Sequence, residues 1–498
     1  MLLKKLIEGL KVITPEDLPD FDIESLENDS RRVNKKSLFI AYSGYTEDAH
    51  PYIGNAYQNG CRFFIIDSKR LNDFKMQFPK AFFIGSSNLP ETLSFCASRF
   101  YENPTSKLYL IGITGTSGKT TTAFTTYHLL RKMGIRAGLI GTIEYRIDDE
   151  ILPASNTTPD VLFLNYLFHR MIQKGVTHCV MEVSSHALAL GRVNGLEFNA
   201  VAFTNFSQDH LDFHKTMEEY LKAKLKIFNL ISSSPKKEHI AIVNMDMKEF
   251  PEIINYTKNI KPLQLKTFSV EKKKADYYIK ILSMSPQKSE IELYKEKIRI
   301  GMIGMTNIYN FSLASIILIE SGFNIKNFKK FTEEIRVPGR MESFQNDSGF
   351  TVIIDYAHKP DALEKLLKTV RSLIANNQRV ITVFGCGGDR DKLKRPIMGR
   401  IAGNLSESVI ITSDNPRTEN PDNIILEIEQ GLKENGFHNY TTEVDRKKAI
   451  HKALMEATRG DIVVIAGKGH EDYQIIGKTK IHFSDREEVE KFFKKGSI

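Results

Sequence analysis

The stretch LYLIGITGTSGKTT, residues 108–121, decides the fold of the part of the chain around it. Its apolar start, Leu108 to Ile113, predicts a buried strand, and a helical pattern from Ala123 to Met133 follows and ends at Gly134. A strand, a glycine turn and a helix in this order form a P-loop, in which backbone N–H groups and the helix N-terminus cradle phosphate groups. The stretch therefore predicts a site for a nucleoside triphosphate.

Two side chains of this loop can act on the phosphates. Lys119 can neutralise the β- and γ-phosphates, and the Thr120 hydroxyl can hold Mg²⁺. The spacing departs from the general Walker pattern, because position 113 is Ile113 and the first glycine is Gly115. An ordinary glycine turn that starts a helix is the alternative interpretation. The predicted nucleotide-binding residues are Gly115, Thr116, Ser117, Gly118, Lys119, Thr120 and Thr121.

Length and cysteine use predict a cytoplasmic protein of several domains. A chain of 498 residues suffices for about three domains with separate cores. No apolar run approaches the ~20 residues that span a bilayer, and the N-terminal segment turns polar at Glu8 and Lys11, too early for a secretory signal. The 4 cysteines lie far apart, without the paired spacing of a metal site, which favours a reducing compartment. No membrane partner is predicted.

The formal net charge of +8 is consistent with polyanionic ligands. The lysines are scattered, and their densest clusters, 236–237 and 272–274, are typical of solvated surface turns without an aromatic stacking motif. Acidic small molecules such as nucleotides explain the charge equally well. We therefore predict small-molecule substrates and no nucleic-acid partner.

Two polar, proline-bearing segments, 102–105 and 337–340, predict domains over 1–103, 104–338 and 339–498. Short apolar runs alternate with helix-length segments in the second and third, which predicts α/β units with mainly parallel sheets after a smaller mixed α/β domain. The glycine turn after the run at 380–384 lacks the spacing and the acid of a dinucleotide fingerprint, so NAD binding is not predicted. The apolar runs are 38–41, 62–66, 108–113, 177–181, 200–204, 240–243, 352–354, 380–384, 409–411 and 462–465.

A carboxylate and two histidines follow the P-loop. Glu182 ends an apolar run, where it can bind Mg²⁺ directly or through water, or simply start a helix. His210 and His214 are four residues apart and could share a helix face, as zinc ligands do, but no third ligand lies at a recognised spacing. A phosphate-bound magnesium site that recruits one histidine is the better interpretation. From sequence alone, Lys224 is interpreted as a surface lysine.

Ordered motifs over nearly the whole chain resemble those of the Mur ligases, ATP-dependent enzymes that form amide bonds in peptidoglycan precursor synthesis. Within that family the resemblance is to the members that add the third amino acid. The matching segments are 29–31 (DSR), the P-loop, 156–159 (NTTP), 181–188 (MEVSSHAL), 204–205 (TN), 209–212 (DHLD), 339–342 (GRME), 355–358 (DYAH), 385–391 (GCGGDRD), 414–417 (DNPR) and 467–471 (GKGHE).

This resemblance implies an N-terminal domain for UDP, a central P-loop ATPase, and a C-terminal Rossmann-like α/β domain for the incoming amino acid. It implies ATP and Mg²⁺ as cofactors. Lys224 aligns with the lysine that the family carbamylates, a change that turns a cation into a carboxylate able to bind Mg²⁺. The implied catalytic residues are Lys119, Glu182, His210 and Lys224, and the implied metal ligands are Thr120, Glu182, His210 and carbamylated Lys224.

Substrate-binding residues also follow from the resemblance. This chain departs from the usual pattern at Leu190, where some relatives carry glutamine, at Ser117, where asparagine is usual, and at Thr306, where phenylalanine is usual. The implied UDP contacts are Ser30, Tyr45 and Thr46, and those to the muramoyl-dipeptide are Asn156, Thr157, Thr158, Ser185 and Arg192. The implied neighbours of the adenine nucleotide are Asn307, Arg340, Asp355 and His358.

The segment 414–417 bears on which amino acid is added. An arginine fork pairs bidentately with a carboxylate, and meso-diaminopimelate carries a distal carboxylate that lysine lacks. Arg417 is therefore expected to select diaminopimelate and to repel the ammonium of lysine, unless it pairs with a neighbouring acid such as Glu419. The expected acceptor-binding residues are Arg390, Asp414, Asn415, Pro416, Arg417, Gly467 and Glu471.

The expected activity is ATP-dependent addition of meso-diaminopimelate to UDP-N-acetylmuramoyl-L-alanyl-D-glutamate through an acyl phosphate, by a monomer. The same ligase with L-lysine as acceptor and a folylpolyglutamate synthase-like ligase are alternatives, and segments 29–31 and 156–159 argue against the latter. A P-loop switch or transport ATPase is an alternative of another class. Segments 355–358 and 467–471 disfavour it, because a switch does not require them.

Overall fold

A computed structural model describes residues 1–42, 48–345, 348–375 and 377–495 of the chain. The chain divides into two units, the first of Met1–Tyr278 with Leu313–Asn324 and the second of Ile279–Ser312 with Ile325–Ile498. The predicted domain boundaries after residues 103 and 338 stay a prediction.

The N-terminal part of the first unit contains a sheet whose strands are β1 Val12–Ile13, β2 Ser25–Glu27, β3 Ser37–Ile40, β4 Phe63–Asp67 and β5 Phe82–Ser86. They pair in the order β1-β5-β4-β3-β2, and every pair is parallel except β1 with β5. Apolar side chains of β3, β4 and β5 are buried on both faces of this sheet. The helices here are α1 Leu3–Ile7, α2 Ile53–Gln58, α3 Leu71–Gln77 and α4 Leu89–Phe100, with 3₁₀ turns at His50–Tyr52, Ser68–Arg70 and Pro104–Lys107.

The P-loop strand lies inside a larger sheet of the first unit. The strands are β6 Tyr109–Thr114, β7 Ala137–Ile140, β8 Glu144–Ile147, β9 Glu150–Pro153, β10 His178–Glu182, β11 Ala200–Phe203, β12 Ile240–Asn244, β13 Gln264–Ser269 and β14 Tyr277–Tyr278. Their order is β14-β13-β12-β11-β6-β10-β7-β8-β9, parallel from β14 to β7 and antiparallel beyond. The helices are α5 Lys119–Lys132, α6 Val161–Gln173, α7 Ser185–Ala189, α8 Leu211–His214, α9 Met217–Ser232 and α10 Phe250–Thr257.

The second unit contains a mainly parallel sheet and two antiparallel elements. Its first strands are β15 Lys280–Met284, β16 Ser289–Leu293 and β17 Glu296–Ile300, and those of its main sheet are β18 Glu342–Gln345, β19 Thr351–Asp355, β20 Val380–Phe384, β21 Ser408–Thr412, β22 Tyr440–Glu443 and β23 Ile462–Ala466. The main sheet has the order β18-β19-β23-β20-β21-β22, and only its pair β18-β19 is antiparallel within the described residues. A hairpin of β24 Tyr473–Ile476 and β25 Thr479–His482 follows.

Helices cover both faces of this main sheet. They include α13 Pro360–Arg371, α14 Lys394–Leu405, α15 Pro421–Glu434, α16 Arg446–Glu456 and α17 Asp485–Lys495. Before them along the chain come α11 Met305–Glu320, which contains the boundary between Ser312 and Leu313, α12 Ile325–Phe328 and a 3₁₀ turn at Lys329–Glu334. The predicted α/β class with mainly parallel sheets is confirmed, and each predicted apolar run overlaps a strand to within one residue at either end.

The interpretation of Lys224 as a surface lysine is wrong. Helix α9 is capped by Thr216, whose hydroxyl accepts a hydrogen bond from Glu219 N. It buries Tyr220, Ala223, Ile227, Phe228 and Ile231, and Lys224 lies on this same face with 1% of its surface exposed.

The interpretation of Lys236 as a solvated lysine is also wrong. Its ammonium donates to Leu108 O and Asn199 Oδ1, and burial lowers its pKa to about 8.

All four cysteines are buried as free thiols. Burial raises the pKa of Cys61 to about 11 and the pKa values of Cys96 and Cys386 to about 12. In the part of the chain that the structure describes, no helix has both the length and the apolar character needed to cross a membrane.

Candidate active site

The loop between β6 and α5 has a backbone that requires glycine. Gly115 has a φ of +140°, and a Cβ at this position would lie 1.9 Å from Thr204 Oγ1. Gly118, with a φ of +83°, directly precedes the first residue of α5. Because the N-terminus of a helix carries unpaired N–H groups and positive potential, this junction can bind phosphate.

The segment after β11 holds the P-loop from the side. Asn205 Oδ1 accepts a hydrogen bond from Ser117 N at 2.9 Å, and Asn205 Nδ2 donates to Ser117 O at 3.0 Å. Thr204 Oγ1 donates to the same oxygen at 2.6 Å. Lys119 Nζ donates to the carbonyl oxygens of Gly115 and Thr116, both at 2.9 Å. The loop and its lysine are thus preorganised around the helix N-terminus.

Glu182, at the end of β10, faces the start of α5. Its side chain has 1% of its surface exposed and accepts hydrogen bonds from Thr120 Oγ1 at 2.9 Å, from Thr142 N at 2.7 Å and from Thr142 Oγ1 at 3.2 Å. Carboxylate and hydroxyl oxygens are the ligands that Mg²⁺ prefers, so this donor set fits the metal. The sequence correctly placed Glu182 at a strand end but gave no signal for Thr142.

Lys224 reaches the P-loop from α9. Its Nζ donates to Gly115 O at 2.6 Å and lies 4.6 Å from the centroid of the Tyr220 ring. Burial and the charge of Lys119 hold the pKa of Lys224 well below its usual range, although Asp209 opposes the shift. A lowered pKa increases the share of the uncharged amine, which is the nucleophilic form.

The two predicted histidines differ in their surroundings. His210 precedes α8 with a φ of +53°, and His214 ends that short helix, so the expected shared helix face does not form. The His186 ring lies 4.8 Å from the His210 ring and 5.6 Å from the His214 ring. His214 is buried and hydrogen-bonded to Ser185 Oγ at 2.9 Å, and burial lowers its pKa to about 4. Within the described ranges, no group of His, Cys, Asp and Glu forms a metal site by itself.

The predicted dipeptide contacts surround the Glu182 backbone. Thr158 Oγ1 donates to Glu182 O at 2.9 Å and accepts from Ser184 N at 3.0 Å. Arg192 Nη1 donates to Thr158 O at 3.1 Å. Thr157 Oγ1 lies 3.0 Å from Thr142 Oγ1, while the side chain of Asn156 is exposed. Thr157, Thr158 and Arg192 are thus linked to Glu182 by hydrogen bonds, whereas the Ser185 hydroxyl bonds to His214 instead.

Of the predicted UDP contacts, the structure describes Ser30 only. Ser30 is buried, and its carbonyl oxygen accepts from Asn59 Nδ2 at 3.0 Å. Tyr45 and Thr46 lie outside the described residues.

In the second unit, the predicted neighbours of the adenine nucleotide gather around Tyr356. The Arg340 guanidinium lies 4.9 Å from the Tyr356 ring centroid, and the His358 ring lies 4.6 Å from it. Asp355 accepts from Met341 N at 2.8 Å and Ala357 N at 2.9 Å, yet burial raises its pKa. Within the described residues, Arg340 Nε is buried without a hydrogen-bond partner. Asn307 Nδ2 donates to Ile303 O at 3.1 Å.

Arg417 lies on a loop that is joined to the loop at 385–391. Its Nη1 donates to Gly388 O at 2.7 Å, and Gly388 N donates to Asn415 O at 2.9 Å. Half-buried Arg417 makes no ion pair among the described residues. The alternative pairing with Glu419 is not observed, because Arg395 binds both carboxylate oxygens of Glu419 at 2.9 and 3.0 Å. Arg390 is exposed, and its Nη1 donates to Asp389 O at 3.3 Å.

The other predicted acceptor residues surround Lys468. This lysine is completely buried, and its Nζ lies 3.0 Å from Glu471 Oε2, 3.3 Å from Asn415 Oδ1 and 3.7 Å from Asp414 Oδ1. Asn415 Nδ2 also donates to Glu471 Oε2 at 3.1 Å. Gly467 has a φ of +117°, and a Cβ there would lie 2.8 Å from Asp414 Oδ2. Lys468 organises this set but was not among the predicted site residues.

Comparison with known families agrees with this arrangement. Residues 113–318 match the Mur ligase middle domain, and residues 339–469 match the Mur ligase, glutamate ligase domain. The chain belongs to the Mur ligase family. Mur ligases are ATP-dependent enzymes that form amide bonds and use Mg²⁺. The predicted ligase activity and the predicted cofactors, ATP and Mg²⁺, are therefore confirmed for this Mur ligase.

Curated relatives and a solved structure resemble this Mur ligase along its whole length. UDP-N-acetylmuramoyl-L-alanyl-D-glutamate–2,6-diaminopimelate ligase 1 of Clostridium acetobutylicum is 40% identical, with 99% of each chain covered. The ligase of Clostridium tetani with the same name, without the numeral, is 41% identical over 98% of each chain. A solved UDP-N-acetylmuramoyl-L-alanyl-D-glutamate–2,6-diaminopimelate ligase is 30% identical with a TM-score of 0.71, covering 100% of this chain and 99% of its own.

Proposed function

We propose that this Mur ligase joins meso-diaminopimelate to UDP-N-acetylmuramoyl-L-alanyl-D-glutamate and converts ATP to ADP and phosphate. The observation that carries the proposal is the half-buried Arg417, which no carboxylate of the described residues neutralises. A guanidinium in this state binds the distal carboxylate of diaminopimelate bidentately. It repels the side-chain ammonium of lysine, so it also rejects the competing acceptor.

Lys119 and the N–H groups of the P-loop bind the triphosphate. They stabilise the charge that develops while the γ-phosphoryl group passes to the carboxylate of the dipeptide substrate. A free carboxylate is a poor acyl donor, whereas the resulting acyl phosphate has a good leaving group. The acceptor amine then attacks the carbonyl carbon and the C–N bond forms. Inorganic phosphate leaves with the C–O bond electrons, and the amine nitrogen loses one proton to the departing phosphate or to water. No side chain need act as a covalent nucleophile.

Thr120, Glu182, His210 and carbamylated Lys224 would hold Mg²⁺. The bound ion supplies positive charge at the phosphate oxygens. The burial of Lys224 beside Lys119 and the P-loop, which lowers its pKa, supports the carbamylation, because the uncharged form of the amine attacks the carbon of CO₂ and releases a proton. The product is a carboxylate beside the P-loop in place of an ammonium.

Four further sets of residues would bind the remaining substrate groups. Ser30, Tyr45 and Thr46 would contact UDP, and Asn156, Thr157, Thr158, Ser185 and Arg192 would hold the muramoyl-dipeptide. The adenine nucleotide would be bordered by Asn307, Arg340, Asp355 and His358. Since Arg340 Nε has no hydrogen-bond partner among the described residues, it could donate to an acceptor atom of the nucleotide. Arg390, Asp414, Asn415, Pro416, Arg417, Gly467 and Glu471 would bind diaminopimelate.

The enzyme would act as a monomer in cytoplasmic precursor synthesis. Residues 1–103 would bind UDP, residues 104–338 ATP, and residues 339–498 the amino acid. Small molecules are its proposed partners, with no role for nucleic acid or membrane.

A substrate panel tests the proposed function. Purified enzyme receives ATP, Mg²⁺ and UDP-N-acetylmuramoyl-L-alanyl-D-glutamate, with meso-diaminopimelate, L-lysine or L-glutamate as acceptor, and product is followed by mass spectrometry. Product with diaminopimelate only, and phosphate release only with all substrates present, is expected. Equal use of lysine refutes the choice of acceptor. Phosphate release without the UDP-linked substrate favours a switch or transport ATPase. In a parallel reaction with a folate substrate in place of the UDP-linked one, addition of L-glutamate to the folate favours a folylpolyglutamate synthase.

Lys119→Ala tests the P-loop assignment in the same assay. We expect kcat to fall by about 10³-fold, because the phosphates lose their charged donor. Lys132→Ala is the control, since this exposed lysine ends the same helix. Retained turnover in Lys119→Ala would contradict the assignment.

A further inference from the structure

Arg395 is a completely buried arginine in the first turn of α14. Its Nη1 and Nη2 donate to the two carboxylate oxygens of Glu419 at 3.0 and 2.9 Å. Nη1 also donates to Glu427 Oε2 at 2.8 Å, and Nη2 donates to Gly387 O at 3.3 Å. One guanidinium therefore bridges α14, α15 and both loops of the proposed acceptor site.

Glu419 in turn holds the two loops against each other. Its Oε1 accepts from Asp389 N at 2.6 Å, and Asp389 accepts from Thr418 Oγ1 at 2.8 Å and Thr418 N at 3.2 Å. The loops pack so closely that a Cβ on Gly388 would lie 1.9 Å from Pro416 O. The carbonyl of that same Gly388 accepts the hydrogen bond from Arg417 Nη1.

The carboxylates of Glu419 and Glu471 are both held by residues other than Arg417. Glu419 is bound by Arg395 and also lies 3.6 Å from the exposed Lys392. Glu471 is bound by Lys468 and Asn415. The ion pair with Arg395 lowers the pKa of Glu419 to about 2, so Glu419 stays ionised at neutral pH. An ionised Glu419 released from Arg395 would be two residues from Arg417 and could neutralise it.

We infer that Arg395 is a positioning residue for acceptor selection: by binding Glu419 it keeps that carboxylate from Arg417 and fixes the two loops that present the Arg417 guanidinium. The inference rests on the proposed function, because it concerns how the proposed carboxylate-binding arginine is kept available. Arg395 acts through Glu419 and needs no contact with substrate.

A rescue experiment tests this inference. Arg395→Met leaves a charged Glu419 without its buried partner, so we expect the KM for diaminopimelate to rise by about tenfold or more while the KM for ATP stays within about twofold. Adding Glu419→Gln removes the released charge and should recover most of that loss. Adding Glu427→Gln instead is the matched control, because Glu427 binds the same guanidinium from α15 but contacts neither loop in the described residues. This second double variant should not recover.

The outcomes separate selection from plain structural support. Equal increases in both KM values, no recovery with Glu419→Gln, or equal recovery with Glu427→Gln would overturn the inference. If Arg395→Met does not fold, judged by circular dichroism, Arg395→Lys replaces it with the same double variants, since one ammonium cannot bind both oxygens of Glu419 in a fork. Wild-type turnover with diaminopimelate, measured alongside, tests the proposed function alone. If the wild type prefers another acceptor, that function fails, and the Arg395 variants are scored with the preferred acceptor.

Discussion

At the scale of the residue, Arg417 combines an unusual backbone with an available charge. Its φ of +52° lies in the left-handed region, which costs a non-glycine residue about 1 kcal/mol. Two backbone hydrogen bonds hold it there, from Arg417 N to Ile475 O at 3.0 Å and from Gly477 N to Arg417 O at 2.7 Å. The hairpin of β24 and β25 thus fixes the direction from which the guanidinium leaves the chain.

Arg417→Ala should therefore reduce affinity for diaminopimelate far more than affinity for ATP. We expect the KM for diaminopimelate to rise about 10²-fold, because a bidentate charge-assisted pair is lost, with little change in the KM for ATP. Arg400→Ala is the control, since Arg400 is an exposed arginine on α14 that pairs with Glu434. Equal losses for both substrates would count against the proposed role.

Lys224 carries the second prediction at this scale. Lys224→Ala should reduce turnover by about 10²-fold, because the proposed carbamate no longer binds Mg²⁺. Short carboxylates such as acetate should raise the turnover of this variant by about tenfold. The buried space that the side chain leaves can admit a small acid. Lys222→Ala is the control, because Lys222 lies on the exposed side of the same helix. Its turnover should match that of the wild type and should not change with acetate. Without rescue, a purely structural lysine would remain as the explanation.

At the scale of the element, the junction of β6, the P-loop and α5 depends on two glycines with different surroundings. Gly115→Ala should abolish nucleotide binding and lower the free energy of unfolding by about 2 kcal/mol or more, because the new Cβ meets Thr204 and the backbone is strained. Gly134 lies just beyond the other end of α5 and has a φ of +82°, and no other described residue comes within 4 Å of its Cβ position. Gly134→Ala should cost only about 1 kcal/mol and leave binding intact. Urea unfolding and a fluorescent nucleotide measure both effects, and equal losses would refute the steric argument.

At the scale of the whole molecule, partly buried histidines in both units link stability to pH. Burial lowers the pKa of His128 and His178 in the first unit, and of His470 in the second, to about 4. Since an unfolded histidine titrates near ~6.5, the unfolded chain binds more protons between those values. The stability from these neutral rings is complete above pH ~6.5 and falls as the pH drops towards 4.

His128→Phe tests this dependence at one ring. In the described residues His128 Nε2 is buried without a hydrogen-bond partner, so phenylalanine removes a group that must stay neutral. We expect the urea midpoint of the variant to rise relative to that of the wild type as the pH falls from 8 to 5. Phe124→Leu changes a neighbouring ring, 4.3 Å away, that does not titrate, so its effect should not vary with pH. A gain for His128→Phe that is equal at both pH values would contradict the prediction.

The sequence by itself determined the features that depend on local order. Glycine spacing between an apolar run and a helical pattern specified the P-loop, and the alternation of runs and helices specified parallel sheets, because both depend on neighbours along the chain. Glu182 was placed at a strand end for the same reason. Lys224 could also have been placed, since it occupies a position on the apolar face of α9 defined by Tyr220, Ile227 and Phe228.

Only the tertiary structure decided which side chains meet across distant segments. It paired Glu419 with Arg395 instead of Arg417, brought Thr142 to Glu182, and buried Lys468 among Asp414, Asn415 and Glu471. Ion pairs and buried hydrogen bonds of this kind depend on where strands and loops are brought together in the sheets, and residue type and spacing do not encode that directly. The availability of the Arg417 charge is therefore a property of the fold, although the arginine itself was evident from the sequence.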